Sequence, residues 1–117
     1  MTEGRIKPKT PTRISESDLM RQIMVALSFD GHFVARANVG LFFTADGRPV
    51  KTGLPKGFSD VFGHRQWDCR AFYLEVKTPK GRASPEQLAF IAAMKKRGAI
   101  AAIVRSVEEA RLAVNGG

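Results

Sequence analysis

The sequence contains a single cysteine, Cys69, and this scarcity excludes two kinds of architecture. One thiol cannot form an intramolecular disulfide, and by itself it cannot hold a structural metal ion. Nothing in the composition therefore indicates an oxidising compartment, and we expect a cytoplasmic protein. Because a catalytic thiol needs a nearby basic partner, we interpret Cys69 as a buried or half-buried thiol without chemistry.

Long apolar runs are also missing from the chain. The longest ones, such as "AIAAIV" at residues 99–104, are far too short to cross a bilayer, so no membrane partner is expected. The first residues are polar, contain Pro8 and Pro11, and lack the apolar core of a secretory signal. With 117 residues in all, we predict a flexible basic arm at residues 1–14 and a single domain at residues 15–117.

Acidic residues are few, since 11 Asp and Glu stand against 19 Lys and Arg, which gives a net charge of +8. Such a surplus predicts a polyanionic partner, because Lys and Arg release counterions from the phosphates of nucleic acids. Improved solubility is the alternative explanation of the same surplus. The basic residues recur in the arm, near residue 80 and near residue 96 (Arg5, Lys7, Lys9, Arg13, Lys77, Lys80, Arg82, Lys95, Lys96 and Arg97).

Apolar periodicity and turn signals predict an α/β fold in which a mixed central sheet is flanked by helices. The predicted order is a helix, three or four strands, a helix, a strand that joins the sheet by a crossover, and a last helix. Ser84, Pro85 and Gln87 form the clearest helix start, a capping box. The predicted helices cover residues 15–30, 84–97 and 106–114, and the predicted strands lie within residues 32–38, 41–52, 58–63, 70–78 and 99–104.

The stretch "YLEVK" places Glu75 and Lys77 on the same face of a predicted strand, because side chains alternate between the faces. Taken alone, this pattern favours a half-buried strand whose polar face lies in water. If residues 58–63 and 70–78 pair as an antiparallel hairpin that turns about Trp67 and Asp68, Asp60 faces Glu75. Two carboxylates would then lie within reach of one cation, with Lys77 on the same face.

These three side chains could supply the parts that phosphodiester hydrolysis requires. The reaction needs a cation on the phosphate, a water in line and a group that orients or activates that water. Oxygen ligands with room for water suit Mg²⁺ or Mn²⁺, whereas zinc prefers histidine and cysteine. The two histidines, His32 and His64, are interpreted as structural or surface residues.

Asp60, fourteen intervening residues and then Glu75, Val76 and Lys77 resemble the active-site signature of the PD-(D/E)XK nuclease superfamily. More specifically, "EVKTPKGRASPEQ" with "GFSD" ahead of it is similar to the VRR-NUC family, the virus-type replication-repair nuclease domain. The similarity covers about residues 15–110, as expected of a stand-alone form of the domain. It implies a restriction-endonuclease-like core. Ser59 departs from the superfamily, which has a proline there, and the role of the Asp46–Gly47 turn cannot be carried over.

The resemblance implies a metal-dependent endonuclease in which Asp60 and Glu75 hold Mg²⁺ or Mn²⁺ and Lys77 serves the attacking water. The backbone carbonyl of Val76 is a further candidate ligand. Two residues match supporting positions of the family and have local alternatives. Glu16, a candidate ligand directly or through water, could instead be a first-turn acid that complements the helix dipole, and Gln87 could simply complete its capping box. The candidate DNA-binding residues are Lys56, Lys80, Arg82 and Arg13.

The resemblance also implies a homodimer that acts on branched DNA, such as four-way (Holliday) junctions, in DNA repair in a bacterial or phage-infected cell. The hairpin residues Leu41, Phe42 and Phe43 are candidates for the dimer interface, although they could pack on their own sheet instead. Two alternatives remain open at this point. One is a DNA-binding module without catalysis, and the other is a nuclease that acts on flaps, duplex ends or RNA.

Overall fold

A computed structural model describes residues 14–38 and 41–117, so the predicted arm, including Arg13, lies almost entirely outside the described residues. The predicted order of elements is confirmed except for the number of strands between the first two helices, which is five among these residues and not three or four. The elements are α1 (Glu16–Phe29), β1 (Phe33–Arg36), β2 (Leu41–Phe43), β3 (Pro49–Lys51), β4 (Val61–His64), β5 (Ala71–Val76), α2 (Pro85–Lys96), β6 (Ile100–Val104) and α3 (Val107–Gly116).

Four of these strands form the mixed sheet that the sequence predicts, and their order in it is β1-β4-β5-β6. The β4–β5 pair is antiparallel, with Val61 opposite Leu74 and Phe62 opposite Tyr73, which is the predicted register. Strand β6 runs parallel to β5, because α2 provides the crossover. The strands are shorter than predicted, so Asp60 lies one residue before β4 and Lys77 lies one residue after β5.

The main hydrophobic core lies between one face of this sheet and the helices α1 and α3. Each of the two helices begins at a serine whose hydroxyl accepts a backbone N–H three residues further on, Ser15 from Asp18 and Ser106 from Glu109. The apolar stripe predicted for the first helix is buried in this core. The buried residues of the core are Leu19, Met20, Ile23, Leu27, Val61, Phe72, Leu74, Val76, Ile100, Val104, Ala110 and Val114.

Helix α2 covers the opposite face of the sheet. Phe90 of α2 packs against Tyr73 and Phe58, with ring centroids 5.5 and 4.8 Å apart. Gly57 brings the loop before β4 against the first turn of α2, since a Cβ on this residue would lie 2.5 Å from the carbonyl oxygen of Glu86. This close approach, at a backbone φ of +89°, requires glycine. It fixes the segment that carries Asp60 relative to the start of α2.

The β4–β5 turn corrects the prediction for Cys69, which is exposed and not buried. The buried Arg65 anchors this turn, because its guanidinium donates to the carbonyl oxygens of Val114 and Gly117 and to the Asp68 carboxylate. With its base held in this way, the tip of the turn faces solvent. Cys69 has a backbone φ of +57° there.

The two histidines are structural or surface residues, as expected. His32 is buried, and its Nε2 lies 2.7 Å from Oδ1 of Asn115 while its Nδ1 accepts the backbone N–H of Gln66. His64 is exposed and stacks on Phe33. Over residues 14–38 and 41–117, no helix has both the length and the apolar character that crossing a membrane requires.

Candidate active site

Asp60 and Glu75 lie together on the sheet face that α2 covers. Because the predicted register is correct, the residue before β4 stands beside the end of β5, and Oδ2 of Asp60 accepts the backbone N–H of Val76 at 3.0 Å. This bond orients the Asp60 carboxylate from the backbone of the strand that carries Glu75. The fold therefore brings the two predicted carboxylates to one place.

The Glu75 side chain is 1% exposed, so the interpretation of its strand face as solvated is wrong. Its Oε2 accepts a hydrogen bond from Nε2 of Gln87 at 2.9 Å and lies 3.4 Å from Nζ of Lys77. Its Oε1 is buried and has no hydrogen-bond partner within the described residues. A buried carboxylate oxygen without a partner is costly, which marks this atom as a place where a ligand could bind.

Gln87 completes the predicted capping box and also contacts Glu75. Its Oε1 accepts the backbone N–H of Ser84 at 2.8 Å, and the Ser84 hydroxyl accepts the N–H of Gln87, which completes the capping box. The other end of the same amide donates to Glu75. The capping box therefore fixes the amide at the start of α2 in the orientation that reaches the buried carboxylate.

The pKa of Glu75 is raised from its ordinary value of 4.5 to about 8. Burial is the largest cause, and the neighbouring Asp60 carboxyl acts in the same direction, because a protonated Glu75 can share a hydrogen bond with it and because the charge of Asp60 opposes a second negative charge. Lys77 opposes the rise through its charge and its hydrogen bond. Two carboxyl groups this close favour a shared proton or a cation, because either one removes the repulsion between them.

We expect the thermal stability of the metal-free protein to fall as the pH rises from 5 to 8. The folded state binds the Glu75 proton more tightly than the unfolded state does, so this contribution is fully present below pH 4.5 and is lost as the pH approaches 8. The variant Glu75→Gln has no such proton and should show a flatter profile. Melting temperatures in EDTA, measured on both proteins, test this, and parallel profiles would contradict it.

The donor set fits a hard divalent cation, although it is small. Over the described residues, no three His, Cys, Asp or Glu side chains are grouped so that they could hold a metal ion. Mg²⁺ commonly uses only one or two carboxylates and takes its other ligands from water and substrate phosphates. Asp60 and Glu75 match that requirement, since Oε1 of Glu75 has no partner among residues 14–38 and 41–117. The carbonyl of Val76 is the further candidate within the same segment.

Glu16 is not brought into this group. It is exposed in the first turn of α1, where Asp18 is the other acidic residue. This position agrees with the local interpretation, in which an acid at a helix N-terminus complements the helix dipole. A direct role for Glu16 as a metal ligand stays a prediction.

The candidate DNA-binding residues Lys56, Lys80 and Arg82 are exposed. Nζ of Lys56 lies 3.9 Å from a carboxylate oxygen of Glu86, in the first turn of the helix that carries Gln87. Lys80 and Arg82 belong to the segment between β5 and α2, which follows Lys77 directly. Positive charge therefore lies beside the first turn of α2, at Lys56, and in the segment that leads into this helix.

Arg105, which follows β6, was not among the residues predicted from the sequence. Its guanidinium donates to the carbonyl oxygens of Thr78 and Gly81, in the segment after Lys77. Its position near the segment after β5 could have been predicted, because β5 and β6 are parallel neighbours and the carboxyl ends of such strands meet at one edge of a sheet. Ser59, where the superfamily has proline, is fully buried, and its hydroxyl has no hydrogen-bond partner among the described residues.

Comparison with known proteins gives the family from the sequence and the fold from the structure. The sequence pattern of the family described as "VRR-NUC domain" matches residues 46–108, which is more than half of the chain. A solved structure of a "VRR_NUC domain" superposes with a TM-score of 0.59 and 20% sequence identity, over 83% of this chain and 91% of the other. At this identity the likeness supports the fold. No curated protein matches the chain.

Proposed function

Since the chain belongs to the VRR-NUC family, which implies a nuclease-type function, we propose that it is a metal-dependent endonuclease that cleaves branched DNA. The observation that carries the proposal is the buried Glu75, which is joined to Asp60, Gln87 and Lys77 on one face of the sheet. A structural role alone would not call for two adjacent carboxylates, one of them with a buried oxygen that has no partner in the part of the chain that the structure describes.

In this proposal Asp60 and Glu75 hold Mg²⁺ or Mn²⁺, with the carbonyl of Val76 as a third candidate ligand. A bound divalent ion would neutralise charge on the scissile phosphate and lower the pKa of a water. The Val76 N–H orients Asp60, and the Gln87 amide orients Glu75. Ligand positions are therefore fixed before substrate arrives, which reduces the reorganisation that the reaction requires.

Lys77 is the residue proposed to serve the attacking water. Its side chain is 14% exposed, and its Nζ lies 3.4 Å from Oε2 of Glu75. The ammonium group is thus held at the edge of the carboxylate pair, where it can donate a hydrogen bond to a water or to a phosphate oxygen. Its backbone N–H is bound to the carbonyl of Val104 at 3.0 Å, so its attachment to the sheet is rigid.

The proposal of DNA as the substrate rests on the family and on charge. The net charge of +8 favours a polyanion. The exposed Lys56 lies beside the first turn of α2, and the exposed Lys80 and Arg82 lie in the segment between Lys77 and this helix. These residues would contact phosphates and position the backbone, since such contacts carry no sequence information. A substrate recognised by its shape, such as a junction, agrees with this mode of binding.

The proposed homodimer rests on the separate hairpin of β2 and β3. Phe42 and Phe43 are 50% and 67% exposed, and Val50 is 48% exposed, so this hairpin presents an apolar surface to solvent. The side chain of Leu41 lies outside the described residues. Exposed aromatic residues are enriched at protein interfaces, and a two-fold dimer would supply a second active site for the opposite strand of a junction.

We expect a dimer that nicks a four-way junction on opposing strands and cuts linear duplex more slowly. Light scattering at micromolar protein and mapping of nicks on a junction labelled on each strand measure the two properties. Phe42→Ser with Phe43→Ser should give a monomer, whereas Leu112→Ser, which changes an apolar residue of α3 that is 74% exposed, should stay dimeric. A monomeric wild type that cuts duplex and junction equally would contradict the junction proposal.

Assays on the same purified protein distinguish the two alternative functions. A binding module without catalysis would bind junctions with the same affinity and leave them intact in Mg²⁺ and in Mn²⁺. A nuclease for flaps, duplex ends or RNA would cleave those substrates faster than a junction at equal concentration. EDTA controls, repeated with Glu75→Gln, identify any cleavage that comes from a contaminant.

A further inference from the structure

Arg105 makes two hydrogen bonds to the segment that follows Lys77. Its Nη1 donates to the carbonyl oxygen of Thr78 at 2.6 Å and to that of Gly81 at 2.8 Å. Its own backbone N–H is held by the Glu109 carboxylate at 2.8 Å, at the start of α3. The arginine therefore connects the end of β6 to the loop that follows β5.

The two carbonyl groups are the two ends of one turn. The N–H of Gly81 donates to the carbonyl of Thr78 at 2.9 Å, which closes a turn with Pro79 and Lys80 at its centre. Proline favours the first central position of such a turn because its φ is fixed. The guanidinium binds the carbonyl oxygens at both ends of the turn, in addition to this closing bond. Lys80 stays exposed at the tip of the turn.

The same turn lies against the side chain of Lys77. A Cβ on Gly81 would be 3.4 Å from Cδ of Lys77, which is ordinary van der Waals contact. The aliphatic part of Lys77 is therefore bordered by the turn, while its Nζ lies beside Glu75. Movement of the turn would release the lysine stem on this side.

We propose that Arg105 is a positioning residue, which fixes the turn at residues 78–81 and thereby places both the Lys77 ammonium and the exposed Lys80. Its effect on cleavage rests on the function proposed above, but its effect on the turn does not. The Glu109 carboxylate binds the backbone N–H of Arg105, whereas the two guanidinium hydrogen bonds go to uncharged carbonyl groups. The side chain is thus used for its geometry as well as its charge.

The test compares Arg105→Met with Arg111→Met. Arg111 also makes side-chain hydrogen bonds, to the Asp30 carboxylate and the Ala26 carbonyl, but it joins α3 to α1 away from the carboxylate pair. Arg111→Met therefore controls for lost charge and lost stability. We expect Arg105→Met to speed hydrogen exchange at the Gly81 amide and to lower kcat at saturating DNA by about 10- to 100-fold. Arg111→Met should leave both within about twofold of wild type at a temperature where each protein is folded.

Arg105→Lys keeps the charge and provides a second variant if Arg105→Met does not fold. Its more flexible ammonium should give intermediate values of Gly81 protection and of kcat. If faster exchange at Gly81 leaves kcat unchanged, or if Arg105→Met weakens DNA binding alone, the positioning role is overturned. If the wild type does not cleave DNA, the proposed function fails, and Gly81 exchange still decides whether Arg105 holds the turn.

Discussion

Glu75→Gln and Asp60→Asn are each expected to lower metal-dependent DNA cleavage by at least about 10³-fold, because each change removes a charged ligand of the proposed cation. DNA affinity should change by less than about threefold, since binding rests mainly on Lys and Arg contacts to phosphate. Both substitutions keep the side-chain shape, and Gln87 can still donate to the carbonyl oxygen of a glutamine at residue 75. Single-turnover cleavage and equilibrium binding of a labelled junction measure the two quantities.

Glu108→Gln is the matched control, because it removes a carboxylate that is exposed on α3. It should cleave at the wild-type rate. Cleavage by Glu75→Gln or Asp60→Asn near the rate of Glu108→Gln, in preparations free of contaminating nuclease, would show that the carboxylate pair does not hold the catalytic metal.

Lys77→Ala is expected to lower the cleavage rate by about 10²- to 10⁴-fold at saturating DNA and metal, the range typical of a group that acts on the reacting water. Its Nζ lies next to Glu75, so its loss changes the site without removing a carboxylate. The metal concentration that gives half-maximal activity should change little. Rates measured across a range of Mn²⁺ concentrations separate these two effects.

The double variant Lys80→Ala and Arg82→Ala is the contrast to Lys77→Ala. Both residues are exposed in the segment after Lys77, so their loss should weaken DNA binding and reduce its dependence on salt, with kcat largely retained. If Lys77→Ala behaved in this way instead, with full turnover at saturating DNA, Lys77 would be a phosphate contact and not a residue that serves the water.

The register of β4 and β5 could be predicted from the sequence because local signals determine it. The turn about Trp67 and Asp68 sets which residues face each other, and the alternation of buried and polar residues sets the face. These two facts place Asp60 beside Glu75. The capping box was equally local, so the position of Gln87 at the start of α2 followed from four consecutive residues.

The environment of Glu75 could not be predicted in the same way. Its burial depends on α2 packing over a strand face that reads as polar, and on Phe58 and Phe90, which close that side of the sheet. Such contacts join residues far apart in sequence, and the periodicity of one strand carries no information about them. The partners of Arg105 are also distant in sequence, 24 and 27 residues away, so only the meeting of the β5 and β6 ends at one edge of the sheet could have indicated it.

The hairpin of β2 and β3 shows a third limit of prediction from the sequence. Its turn residues predicted two strands, but they did not show that these strands would form a sheet of their own beside the main one. Strand pairing beyond a hairpin is decided by which edges remain available after the core has formed. The exposure of Phe42 and Phe43 follows from this separation.

Direct measurement of Mn²⁺ binding tests the central claim, that Asp60 and Glu75 together hold the metal. Lys77→Ala protein, whose slow cleavage should preserve a bound junction, is titrated with Mn²⁺ and the free ion is followed by electron paramagnetic resonance. The same titration is made with Lys77→Ala combined with Glu75→Gln at equal DNA concentration. We predict a saturable site in the first protein that is absent from the second. Equal Mn²⁺ binding by the two proteins would contradict the assignment of the metal site.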